Sequence, residues 1–337
     1  MSKSALALAQ AVIAVLLVQG GVAALRPAPR PTGMHDEGLG RVTAIEVHFV
    51  PSAEFVRDTY LDFFRQLPAD VRIYVAVERR EHADEFTRLT GRPATPVVIG
   101  RPITTWSRDR FAAGSGGIAI PSDVHAGGAE RRNDRLVPFE LAKTLRVSAR
   151  VAPFRFDGGD FLAIGGRIVA TSTWTNRTPE RPATELVTEA ERFFGMPMVY
   201  LPDAPDHHVG MAFAPIGANE VLVGDMKWGR RLAPEIPVNE AEEARFDAMA
   251  DGFVRAGFVV RRIPAIATDV DFRWITYTNG IHENKVVYMP VFEIDTLDAA
   301  AREVYRGLGY DVRPVRVSKT YGLGGTLHCL VHVVERG

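Results

Sequence analysis

The sequence predicts an α/β protein built as a radial array of five β-β-α-β units, on three observations. A helix-to-strand segment recurs five times: "LDFFRQLPADVRIYVAVE", "LAKTLRVSARVAPF", "AERFFGMPMVYLP", "ADGFVRAGFVVRRIPA" and "AREVYRGLGYDVRPV". Strand-pair candidates lie between these segments, and no Gly/Ser linker or charge block divides residues 40–337. Units of this kind, arranged radially, bring loops from all five to one central channel. An ordinary α/β domain with coincidentally similar segments is the alternative.

Each recurring segment joins an amphipathic helical pattern to a β-branched run, usually across a short break. The strands after the helices are expected to begin near residues 71, 149, 197, 257 and 309. The strand pairs are "FLAIGG-RIVATST", "MAFAPIG-ANEVLVGD" and "WITYTNGIHENKVVYMP", with Gly and Asn where hairpins need positive φ.

The N-terminus reads differently. "MSKSALALAQAVIAVLLVQGGVAAL" has Lys3, a long apolar stretch, and Val22 and Ala24 suiting the −3 and −1 places of a cleavage site. Residues 1–24 are expected to be a secretory signal peptide, giving a secreted or periplasmic protein. An uncleaved anchor or a buried helix are the other readings; Gln10 and Gln19 make the stretch marginal for a membrane span. Residues 25–42, with Pro27, Pro29 and Pro31, are expected to be a linker, and residues 43–337 a single domain.

The 337 residues carry a formal net charge of −1, with 46% hydrophobic and 24% charged residues. This near-neutral balance gives no electrostatic case for nucleic acid or an anionic membrane as partner. The single cysteine, Cys329, cannot form an internal disulfide. It is an inert core residue, an intermolecular link or a reactive thiol.

Four stretches are polar and glycine-rich beside apolar surroundings. They are "TTWSRDRFAAG" with Trp106, Arg108, Asp109 and Arg110; "FRFDGGDFLAIGG" with Asp157 and Asp160; "PDAPDHHVGMAFAPIG" with His207 and His208; and "GLGGTLHCL" with Cys329. Singly they read as a charge cluster, a turn, a surface histidine pair and a core thiol. No metal is expected, because further cysteines and a His-x-x-x-His spacing are lacking. Together they supply a thiol, a histidine to ionise it and carboxylates for a cationic group.

In these residues the chain resembles the guanidine-modifying superfamily of arginine and agmatine deiminases, dimethylarginine hydrolases and amidinotransferases. The resemblance rests on "WSRD", "DGGD", "STWTNRT", a histidine at a strand entry and "GGTLHC", and runs from about residue 44 to 335. Agmatine deiminases carry a similar "GGGNIHC", and an Asn-Gly hairpin with its helix matches their last module. The resemblance implies a pentein fold, a five-bladed α/β propeller of ββαβ modules with pseudo-fivefold symmetry. It places Cys329 as nucleophile, His208 as general acid/base and Asp157 as the carboxylate steadying that histidine. Asp109 would hold the guanidinium and Arg177 the substrate carboxylate, with Asp160, Arg108 and Trp106 as further substrate-binding candidates. Gly210 stands where many deiminases have the aspartate of His-x-Asp, although dimethylarginine hydrolases also lack it.

The implied activity is a cysteine-dependent hydrolase acting on arginine, methylarginine, agmatine or peptidyl-arginine through a covalent Cys-amidino intermediate. It needs no cofactor, and its partner is the small guanidino substrate. An amidinotransferase and a non-catalytic pentein-fold binding protein are the alternatives. Oligomeric state is left open.

Overall fold

Each recurring segment folds as a module in which an antiparallel strand pair is followed by a helix and a third strand parallel to the second. Residues 31–123, 129–268, 270 and 273–337 are described by the structure, a computed structural model. Module one contains β1 (Val42–His48), α1 (Arg57–Gln66) and β2 (Arg72–Val77), with β3 (Thr95–Val98) added at the outer edge. Module two contains β4 (Ala112–Gly114), β5 (Gly117–Ile120), α2 (Val137–Leu145) and β6 (Ala149–Val151). Module three contains β7 (Leu162–Ile164), β8 (Arg167–Thr171), α3 (Ala183–Phe194) and β9 (Met198–Leu201).

Module four contains β10 (Phe213–Gly217), β11 (Glu220–Asp225), α4 (Glu240–Arg255) and β12 (Val259–Ala267), edged by β13 (Trp274–Thr276). Module five contains β14 (Ile281–Glu283), β15 (Val286–Val291), α5 (Asp295–Gly307) and β16 (Asp311–Arg316). The last strand, β17 (His332–Arg336), runs antiparallel to β1, with Ile45 opposite Val333 and Glu46 opposite His332. It serves as the first strand of module one and closes the series.

The five strands expected after the helices begin at Arg72, Ala149, Met198, Val259 and Asp311, each within two residues of expectation. Middle strands such as β11 are apolar and buried almost throughout, because both faces are covered. The β7–β8 turn has Gly165 and Gly166 at φ 55° and 73°, the conformation that two-residue hairpins require. Asn239 caps α4, its Oδ1 accepting from the amides of Ala241 and Glu242 at 2.9 and 3.1 Å.

Two expectations change. The signal-peptide stretch and residues 25–30 lie outside the described residues, but the linker ends by Thr32 and does not run to 42. From there the backbone docks on modules two and three: Gly33 donates to Phe194 O, His35 to Ala113 O and Glu37 to Ala163 O at 2.9–3.0 Å. A segment that satisfies its amides against strand edges is part of the fold. Second, Asn279–Gly280 is not a hairpin turn. The turn between β14 and β15 is Asn284–Lys285, at φ 36° and 65°, while Asn279 is buried ahead of β14.

Candidate active site

The four polar stretches occupy equivalent places. Each forms a single helical turn that ends just before the first strand of a module: Ser107–Arg110 before β4, Gly158–Asp160 before β7, Val209–Met211 before β10, Leu327–Leu330 before β17. In module five the corresponding stretch contains Asn279, two residues before β14. Five-fold repetition therefore brings residues distant in sequence to one end of the strands.

Cys329 is 3% exposed, within an apolar cluster drawn from modules three and four. On the polar side its Sγ lies 3.5 Å from Asn279 Oδ1, which also accepts the Thr326 hydroxyl at 2.7 Å. His208 stands beside the thiol. Its Nε2 is 3.7 Å from Asp157 and its Nδ1 3.9 Å from Asp109. Burial works against charging this imidazole, but the contacts with Asp157 and Cys329 and the charges of Asp109 and Asp160 outweigh it. They hold its pKa well above the ordinary value.

The glycines of "DGGD" are needed for close approach. A Cβ on Gly159 would fall 2.5 Å from His208 Nδ1, and one on Gly158 would fall 2.1 Å from the Arg108 carbonyl. Gly325 likewise lies against the Trp106 ring, whose nearest carbon would be 2.5 Å from an added Cβ. Trp106 thus borders the cysteine turn. A separate cavity of about 340 Å³, lined by Phe49, Phe55, Glu78 and His82, shares only Trp106 with the residues predicted for the site.

Asp157 accepts from Arg110 Nη1 at 2.9 Å and pairs with Arg177 Nη2 at 3.1 Å. Burial alone would raise its pKa; His208, Arg177 and Arg110 reverse this and keep it ionised, well below the carboxylate range. Asp109 pairs with Arg131, while its Oδ1 is buried without a hydrogen bond among the described residues. Arg131 Nη1 is likewise buried with no hydrogen-bond partner among the described residues.

Cys329, His208, Asp157, Asp109 and Trp106 are therefore brought together. Three other predicted substrate contacts have different partners. Arg177 places its fork on Asp160 (Nε–Oδ2 2.6 Å, Nη2–Oδ1 2.8 Å) as well as on Asp157, so its donors are committed within the protein. Asp160 is 1% exposed and spends its oxygens on Arg177 and the Asp157 amide. Arg108 is 3% exposed and turns away to Glu37, His332 and the Phe161 carbonyl. All three brace the site from behind.

Sequence reading missed Asn279, Arg131 and Glu37. Only the first had a signal, its place two residues before a module's first strand. The space beside Gly210 is also filled. A Cβ there would lie 3.2 Å from Asn279 Nδ2 and 3.3 Å from His328 Nδ1, so two side chains crowd the position where an aspartate would extend.

Comparison with known proteins agrees with this arrangement. The model of the Porphyromonas-type peptidyl-arginine deiminase family matches residues 45–334. Among solved structures, C. jejuni agmatine deiminase superposes with a TM-score of 0.70 at 16% identity, covering 89% of this chain and 94% of its own. Agmatine deiminase of Enterococcus faecalis gives 0.67 at 15% identity, covering 89% and 94%. A dimethylarginine dimethylaminohydrolase adduct with S-methyl-L-thiocitrulline gives 0.52 at 17% identity, covering 86% and 99%. These likenesses show the pentein fold. A comparison with curated proteins finds no significant match. With a family match spanning most of its length, the chain belongs to the Porphyromonas-type peptidyl-arginine deiminases, hydrolases of C–N bonds in linear amidines.

Proposed function

We propose that the chain is a cysteine-dependent deiminase of a guanidino compound, with Cys329 as nucleophile, His208 as acid and base, and Asp157 and Asp109 as the carboxylates that orient them. The observation that carries this reading is the meeting of Cys329 with an imidazole of raised pKa. A histidine beside a cysteine is the pairing that thiol-based nucleophilic catalysis uses. The thiolate attacks the guanidinium carbon, forming a C–S bond. His208 gives its proton to the departing amine as the C–N bond breaks, leaving an amidino-thioether. The neutral imidazole then takes a proton from water, whose oxygen adds to the same carbon. The C–S bond breaks as the adduct's hydroxyl proton passes to solvent, and a neutral ureido product leaves with the thiolate and the His208 imidazolium restored.

Charge narrows the substrate. Three carboxylates, Asp109, Asp157 and Asp160, face the guanidinium groups of Arg110, Arg131 and Arg177 together with the His208 imidazolium. A guanidino compound that also carries a carboxylate suits this balance better than a dication such as agmatine, with Arg131 Nη1 the donor for that carboxylate. The N-terminal apolar stretch supports export of the protein.

The test is a ureido-product assay over arginine, methylarginine, agmatine and arginyl peptides. Wild type is expected to turn over at least one of them, and Cys329→Ala to lose about a thousandfold or more of that activity while remaining folded. Unchanged turnover in Cys329→Ala would rule out the mechanism.

A further inference from the structure

Two of the turns that carry the site are only four residues long. In Ser107–Arg110 the Asp109 amide reaches the Trp106 carbonyl only at 3.5 Å, and in Leu327–Leu330 the Cys329 amide reaches Thr326 at 3.2 Å. A single turn leaves most of its backbone groups without a partner inside the turn, so side chains help to set its placement. The two turns pack against each other. One side chain joins them, and it comes from neither.

Glu37 lies on the docked N-terminal segment and is 9% exposed. Its Oε1 accepts from Arg108 Nη2 at 2.6 Å and its Oε2 from His328 Nε2 at 2.7 Å. Arg108 and His328 immediately precede Asp109 and Cys329 in the chain. Arg108 continues to His332 Nε2 at 2.8 Å and to the Phe161 carbonyl at 3.0 Å. The Glu37 amide itself is anchored on Ala163 in β7. A charge-assisted link at both oxygens, anchored from behind, fixes two turns with respect to a third element.

We propose that Glu37 is a positioning residue for the reaction: by holding Arg108 and His328 together, it sets the alignment of the Cys329 thiol with the carboxylate of Asp109. The proposal rests on the guanidino reading above. Misplacement of a nucleophile by about 1 Å costs about a hundredfold in rate. The N-terminal segment is then a working part of the site.

The experiment compares alkylation of Cys329 by neutral iodoacetamide and by cationic 2-chloroacetamidine, in wild type and Glu37→Gln. Iodoacetamide reads the thiolate; the amidine also reads its alignment with the carboxylates. Wild type should react faster with the amidine. Glu37→Gln should lose about 10- to 100-fold of that rate while the iodoacetamide rate stays within about twofold. In turnover, kcat should fall more than KM rises, and thermal melting should show a folded protein. If Glu37→Gln does not fold, His328→Leu removes the donor to Glu37 Oε2 and is expected to show the same selective loss. A wild-type amidine preference that the folded variant retains overturns this proposal alone. No preference in wild type overturns the guanidino reading and the proposal with it.

Discussion

Two polar clusters lie in this protein's apolar interior, built from the same residue types with opposite results for histidine. Around His208, Asp109, Asp157 and Asp160 converge, and the imidazole pKa rises. Around Glu37, a single carboxylate faces Arg108, His328, His332 and the nearby Arg336. There burial dominates, the arginine charges add to it, and both imidazoles fall below the ordinary value despite Glu37. At His208 the contacts with Asp157 and Cys329 and the charges of Asp109 and Asp160 outweigh burial, whereas at His328 and His332 burial prevails over Glu37. One cluster keeps an ionised acid beside a thiol, and the other keeps neutral rings in fixed positions.

The largest effect should come from removing the charged ring. His208→Gln is expected to lower kcat by about 100- to 10,000-fold. In wild type the sign follows from the raised pKa: the imidazolium persists above the ordinary imidazole range, so activity should fall only as pH passes that higher value. An alkaline limb centred at or below the ordinary histidine value would break the comparison. His332→Phe, within the second cluster, should leave that limb where it is.

Arg177→Ala should be a loss of stability first. It strands the buried carboxylate of Asp160 while Arg110 still supports Asp157, at a cost of about 3 kcal/mol by chemical denaturation. Full stability with a raised KM only for carboxylate-bearing substrates would return Arg177 to a substrate contact. The smallest effect is expected at Arg131. Arg131→Gln should raise KM for arginine by about tenfold while leaving agmatine little changed. Equal shifts for both would show that the Asp109 pair matters structurally and not for the substrate's carboxylate.

The modules were legible because hairpin and helix carry local signatures, such as the Gly165–Gly166 turn and the buried face of α1 with Tyr60, Phe63 and Phe64. Cys329, His208 and Asp157 were legible through short motifs whose glycines have a steric reason, seen at Gly158, Gly159 and Gly325. The orientation of Arg177 and Arg108 was not. Motif position says where a side chain starts, but which of several carboxylates captures its fork depends on packing between modules. Glu37 was hidden for a related reason. It sits after a proline-rich stretch that reads as linker, and only the strand edges of β4 and β7 turn that stretch into structure. Asn279 was mistaken for half of a turn because Asn-Gly is a strong hairpin signal, while the actual turn uses Asn284–Lys285.

The pairing of β17 with β1 has a consequence in time. Cys329 lies just before β17, and that strand must find a partner nearly three hundred residues earlier. Contacts so distant in sequence form slowly and late. During synthesis, His208 and all three aspartates are made long before Cys329. The proposed site therefore takes shape only once β17 has paired with β1.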